Sequence, residues 1–212
     1  MGTFLAQSCE GGVEEIGLSY SGEIAEWKTA LIRNAAVAGA LNQLAHAQER
    51  ANLVNAASIA EERGIRLTER KKPRDSGTAA SNVLRMTLKT GQQENTVAGC
   101  VQPGGLPRLL EIDGIHVEAP LEGNVIYLRN LDVPGVIGRV GTVLGQHNVN
   151  IANFSLGRGR EGQEASAVAV VQVDGEISGA VLEALRCIET ILLAKAIRFG
   201  AGQARPVASA AR

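Results

Sequence analysis

One carboxylate, one carboxamide and a run of backbone amides fall within residues 130–150 of this 212-residue chain, NLDVPGVIGRVGTVLGQHNVN. Asp132 can accept from an ammonium group, and it can equally cap a helix. Asn150 can donate to a carboxylate and accept from an ammonium or hydroxyl, or serve as a turn residue. The first amides of a helix, at Gly135, Val136 and Ile137, lack intrahelical acceptors and favour an anion. An acid, an amide and free N–H donors suit a small zwitterion such as an amino acid. They do not by themselves suit catalysis.

The elements that must position these groups follow from local pattern. A strand ends at Asn130, and Asp132 with Pro134-Gly135 forms a tight loop. Val136, Ile137, Val140, Val143 and Leu144 then recur at helical spacing, and Gly145 and Asn148 end the helix. A second strand starts at Asn150. On this reading the first strand ends, and the second begins, beside one helix start, so that Asp132 and Asn150 share one small space.

Around that segment, residues 124–199 read as strand 125–129, helix 134–147, strand 150–156, strand 165–173, helix 178–187 and strand 191–199. The order is βαββαβ, a ferredoxin-like module with two helices on one face of a four-stranded antiparallel sheet. Residues 1–120 read as a separate α+β module. Its strand at 13–20 precedes an Ala-rich helix at 25–44 and a helix at 52–62 stopped by Gly64. An exposed strand at 65–72 and a charged turn at 71–77 come next. Alternating stretches at 83–88 and 96–101 read as strands, with a Pro103-Gly104-Gly105 turn after them. Strands at 109–112 and 115–117 flank Asp113-Gly114, a strong hairpin signal. Residues 120–123 form the boundary, and 200–212 read as a frayed Ala, Gly and Pro-rich tail. The fold class is therefore α+β in two modules.

Composition narrows the function classes. Hydrophobic residues make up 45% and aromatic residues 3%, so the cores must be built from Val, Leu, Ile and Ala. A net charge of -1 gives no overall pull toward nucleic acid or an anionic membrane. No segment is apolar and long enough to span a bilayer, and the start lacks a signal-peptide pattern, so a cytoplasmic protein is expected. Cys9, Cys100 and Cys187 are scattered and form no C-x-x-C pair, and His46, His116 and His147 lack ligand spacing, so no metal is expected. Lys71, Lys72 and Arg74 read as a solvated turn. Gly157 to Gly162 fits G-x-G-x-x-G, but the strand-like ASAVAVVQV follows it where a dinucleotide site needs a helix. Asn153-Phe154-Ser155 is a glycosylation sequon in form only.

The segment DVPGVIGRVGTVLG with NVNIA resembles an ACT domain, a small amino-acid-sensing regulatory unit, in the form found at the end of bacterial D-3-phosphoglycerate dehydrogenases. GEIAE at Gly22, ERANLVNAASIAEERGI at Glu49 and PRLLEIDGIHVEA at Pro107 resemble the intervening, allosteric substrate-binding domain of the longer forms of that family. The resemblance implies feedback inhibition by L-serine or a similar small amino acid, held by Asn130, Asp132, Gly135, Val136, Ile137 and Asn150. Asn130 stands where relatives carry His or Tyr. It also implies edge-to-edge pairing of ACT domains into a homodimer or tetramer, with the effector at the seam, and an anion contact at Arg108. On this reading the exposed first strand of the second module is the edge to be paired. The Rossmann unit and dehydrogenase catalytic set of the family are not found, so no catalytic residue is expected in the chain, and NAD would belong to a separate catalytic part. The alternatives are a stand-alone amino-acid sensor or assembly protein, and a subunit of a serine dehydratase.

Overall fold

Period-two alternation along Val13–Ser21 buries Ile16, Leu18 and Tyr20 and turns Gly17 and Ser19 to the other side. This strand, β1, is the second of a six-stranded sheet in a computed structural model that describes residues 1–44, 49–72, 82–159 and 166–200. The other strands are β2 (Arg66–Lys72), β3 (Val83–Thr90), β4 (Glu94–Gln102), β5 (Leu106–Ile112) and β6 (Ile115–Pro120), in the order β2-β1-β3-β4-β5-β6. Only β2 runs parallel to its neighbour; the rest form an antiparallel meander. Asp113 and Gly114 join β5 to β6 with φ of 48° and 83°, the two left-handed residues of a type I′ turn. Asp113 also accepts the Thr96 N–H at 2.7 Å and a side-chain bond from Asn95, so its carboxylate ties the turn to β4.

A second, four-stranded sheet holds β7 (Asn124–Leu131), β8 (Ile151–Arg158), β9 (Ser166–Val173) and β10 (Ile191–Arg198), in the order β10-β7-β9-β8. The βαββαβ order is completed by two helices, numbered here after the three helices that precede them in the chain: α4 (Val136–Gln146) and α5 (Gly179–Arg186). They cover one face, burying Ile126, Leu128, Ala169, Val171 and Ala194 beneath Val140, Leu144, Val181 and Leu185. The first strand, β7, lies inside the sheet between β10 and β9, so it is not the unpaired edge expected of it. The rims belong to β8 and β10. Side chains cover the rim of β10: Gln7 donates to the Arg198 carbonyl at 3.0 Å and accepts the Arg198 N–H at 2.7 Å, while Arg186 donates to the Ala194 carbonyl at 2.9 Å. Among the described residues no backbone bond engages the outer rim of β8 itself.

The other face of this sheet is also buried. Val125, Tyr127, Val168, Val170 and Ile197 belong to the same apolar core as the six-stranded sheet and its helices α1 (Gly2–Ser8), α2 (Ala30–Leu41) and α3 (Ala56–Glu62). Helix α1, which no local signal announced, fills the space between: Phe4 and Leu5 are buried, and the Phe4 ring lies 5.3 Å from that of Tyr127. Gly2 lets α1 approach α2, since a Cβ there would sit 2.0 Å from the Ala36 carbonyl.

Two helix starts lie later than their periodicity suggested. The stretch expected to open a helix at residue 25 is a 3-10 turn, Glu23–Glu26, whose Ile24 N–H is held by the Asn82 side chain at 2.8 Å. The helix expected from 52 begins at Ala56, because the Asn52 carboxamide accepts the N–H groups of Val54 and Asn55 and holds the chain in an Asx turn. Residues 73–81, most of the charged turn, lie outside the described residues, as do Arg74, His46, the 160–162 end of the glycine-rich stretch and the 201–212 tail. His116 and His147 are exposed, and Gly157 and Arg158 of the glycine-rich stretch belong to β8.

Strand β6 crosses the face of β8. The Ser155 hydroxyl donates to the Glu118 carbonyl, and a Cβ on Gly157 would lie 2.3 Å from the His116 carbonyl oxygen. Both partners are strand backbone, so neither can step aside. Gly157→Ala is expected to destabilise the fold by about 1–3 kcal/mol, the usual cost of overpacking. Urea denaturation of the two proteins checks this, and an unchanged midpoint would count against so close a crossing.

Candidate functional site

The turn after β7 is built for exposure of amides. Val133 N–H bonds back to the Leu131 carbonyl, Pro134 fixes the approach, and Gly135 sits at φ 88°, a left-handed conformation that glycine adopts without strain. Helix α4 starts there, with Arg139 N–H bonding to the Gly135 carbonyl. No side chain caps it, so the amides of Val136, Ile137 and Gly138 have no intrahelical or capping acceptor. The carboxylate of Asp132 does not cap the helix, contrary to one of the two roles its position suggested. It faces Arg158 instead, with 3.4 Å between the guanidinium Nε and the carboxylate oxygen.

These groups surround a cavity of about 450 Å³ lined by Asn130, Asp132, Val133, Pro134, Gly135, Val136, Ile137, Leu156 and Arg158. Asn130 is buried at its inner end, 3% exposed, and its amide nitrogen donates to the Leu131 carbonyl at 2.8 Å. The cavity thus offers an anionic side chain, a cationic one, free helix amides and an apolar wall from Val136 and Leu156. An ammonium group can sit on Asp132 while a carboxylate meets the helix amides or Arg158, in a field that favours both ends of a zwitterion.

Five of the six residues expected around the ligand meet here; Asn150 does not. Its amide nitrogen donates to Asp174 at 2.6 Å, at the far end of the sheet. The reason is topological. Strands β7 and β8 both run antiparallel to β9, and so are parallel to each other. Helix α4 carries the chain back along the sheet, which places the start of β8 opposite the end of β7. Asn150 lies eight residues from Arg158, roughly 25 Å along an extended strand. The same topology brings Arg158, which the sequence reading missed, to the Asp132 end. Arg108 is not part of this cavity: it stands on β5 with a buried Nε that finds no partner among the described residues.

The class the fold defines is a ferredoxin-like module with a cavity at its first strand–helix turn, fused through a shared core to a six-stranded α+β module. Comparison with known families makes the class specific: residues 1–113 match the D-3-phosphoglycerate dehydrogenase intervening domain and residues 124–188 match the ACT domain. The chain belongs to the D-3-phosphoglycerate dehydrogenase intervening-domain family and carries an ACT domain behind it. It is similar to D-3-phosphoglycerate dehydrogenases from Bacillus subtilis (29% identical, 93% of this chain and 36% of the relative), Methanocaldococcus jannaschii (32%, 90% and 35%) and Synechocystis (33%, 74% and 28%). The chain therefore spans about a third of the length of these relatives. Among the described residues, no helix is long and apolar enough to cross a membrane.

Proposed function

We propose that this chain is the regulatory and oligomerising part of a D-3-phosphoglycerate dehydrogenase of serine biosynthesis in the cytoplasm, and that it senses L-serine or a similar small amino acid. The observation that carries the reading is the cavity at the end of β7, where Asp132 and uncapped helix amides stand within one small volume. Oxidation of 3-phosphoglycerate with NAD is assigned to the part of the relatives that this chain does not match.

Asn150 completes the site from a second chain. Antiparallel pairing of two β8 rims sets the start of one strand beside the end of the other, which brings Asn150 of the partner subunit toward Arg158 and Asp132. Ligand binding then bridges two chains and favours one arrangement of the pair. A coupling of about 1–3 kcal/mol is enough for useful inhibition.

Calorimetric titration of the chain with L-serine, glycine and L-alanine tests the reading, paired with sedimentation at several protein concentrations. Saturable heat for one of these amino acids is expected, together with a ligand-dependent shift toward dimer. A folded, dimeric chain that gives no heat with any of the three would overturn the sensor function.

A further inference from the structure

We propose that the outer rim of β2 is a docking edge for an extended acidic segment of another protein, one in which acidic and apolar residues alternate and which adds to the six-stranded sheet as a further strand. The rim lies in the first module and does not depend on the amino-acid cavity.

The fold leaves this rim open. Strand β2 stands at one end of the strand order, and among the described residues no backbone bond engages its outer side. The opposite margin, β6, lies across β8, and β10 of the other sheet carries its side-chain clasps. Neither kind of cover is found on β2 among the described residues. A row of unpaired N–H and C=O groups is a template for one more strand.

Charge decides which strand that can be. The sequence of β2 is RLTERKK, four cations and one carboxylate. That carboxylate, Glu69, faces the helices and is already engaged: it accepts from the Tyr20 hydroxyl at 3.0 Å, the Thr29 hydroxyl at 3.4 Å and Arg33 Nη1 at 3.0 Å. On the open face Arg66 is matched by Glu15, whereas Arg70 and Lys72 have no hydrogen bond or ion pair among the described residues. A second β2 paired across a two-fold axis would set these cations against their copies, and like charges on paired strands are destabilising. An acidic strand meets the same row with the opposite charge.

The helix-side face supplies an apolar contact. Trp27 follows the 3-10 turn, and its carbonyl oxygen accepts from Lys71 Nζ at 3.0 Å, which sets the residue beside the rim. It is the one tryptophan of the chain and is 54% exposed, while Phe4, Tyr20 and Tyr127 are buried. Leu31, in the first turn of α2, is 65% exposed. Side chains of an added strand point to the two faces in turn, so one row meets Arg70 and Lys72 and the other meets the Trp27 side. Alternation of acidic and apolar residues is the pattern that satisfies both.

The probe is an end-blocked peptide of alternating glutamate and valine, as long as β2 at 7 residues, titrated into the isotope-labelled chain and followed by amide NMR and by the emission of Trp27. Saturable shifts along Arg66–Lys72 and a change in emission are expected, both weakening with added salt. Arg70→Glu combined with Lys72→Glu is expected to weaken binding by about tenfold or more, since like charges then meet. Trp27→Ala is expected to weaken it by about fivefold, its fold checked by an unchanged spectrum away from β2. Successive amides of a strand point to opposite edges. N-methylation of the valines alone blocks one edge of the peptide, and N-methylation of the glutamates alone blocks the other. One of these two peptides should keep its affinity and the other lose it; equal affinity of the two would overturn strand addition. Non-saturating shifts, equal binding of a lysine–valine peptide, or full affinity in the double variant would overturn the docking edge. Concentration-dependent shifts along β2 in the chain alone would assign the rim to a second copy and overturn the acidic partner.

Discussion

Chains carrying Asp132→Ala and chains carrying Asn150→Ala, each binding L-serine about tenfold or more weakly than the parent, are expected to recover about a quarter of the parent's high-affinity sites when mixed. The argument is geometric. Asp132 and Asn150 sit at opposite ends of the second sheet, roughly 25 Å apart by strand length. No single chain can therefore bring both to one small amino acid. In the proposed two-fold pair, each site would take its carboxylate from one chain and its carboxamide from the other. A mixed pair then holds one site with both groups intact and one site with neither, and random mixing makes about half of the pairs mixed. Loss of the charged bond from Asp132 to the ammonium group costs about 1.5–3 kcal/mol, enough to weaken binding by roughly one to two orders of magnitude. Calorimetric stoichiometry reads the recovery directly. Recovery of no sites, with both variants folded and dimeric, would reject the shared site. Undiminished binding by Asn150→Ala alone would remove Asn150 from it.

The second large effect concerns cutting the chain at its apparent joint. A fragment of residues 121–200 contains the complete βαββαβ module, yet it is expected to be unfolded or aggregated as an isolated monomer. The face of its sheet opposite α4 and α5 carries Val125, Tyr127, Val168, Val170 and Ile197, all buried against the first module in the whole chain. Exposing a side chain of this type costs about 1.5–3 kcal/mol, so five together cost roughly 7–15 kcal/mol, comparable to the whole stability of a typical domain. The 212-residue chain should accordingly melt in one cooperative transition. Circular dichroism of the fragment and calorimetry of the whole chain check the two halves of this expectation. A soluble fragment with a sharp transition of its own would show that the shared face contributes far less than its burial implies.

Much of the fold was legible because local chemistry and final structure agree. Asp113-Gly114 between two alternating runs leaves little choice but a hairpin, and Val136, Val140 and Leu144 at helical spacing define the buried stripe of α4. Helix α1 was not legible, because its seven residues lack a side-chain cap and gain stability only where Phe4 and Leu5 meet a sheet far along the chain. The late starts of α2 and α3 were hidden for a related reason: backbone N–H groups donate to the side-chain oxygens of Asn82 and Asn52, and these bonds override helical periodicity. The cavity was readable from the types of Asp132, Gly135 and Val136. The position of Asn150 was misjudged because proximity was inferred along the chain rather than through the strand–helix–strand crossover. Counting from one end of a strand to the other would have placed Arg158, not Asn150, beside Asp132.

The small clasps on β10 bear on how large an assembly can grow. A sheet with two free margins can add copies at both, and the outcome is a fibre. Here Gln7 imitates a peptide group at Arg198, and Arg186 occupies the Ala194 oxygen, so one margin is already spoken for. The proposed pairing through β8 would consume the remaining margin of each copy at the first encounter. A continuous sheet built that way would end at eight strands, and any higher order would have to use a different surface.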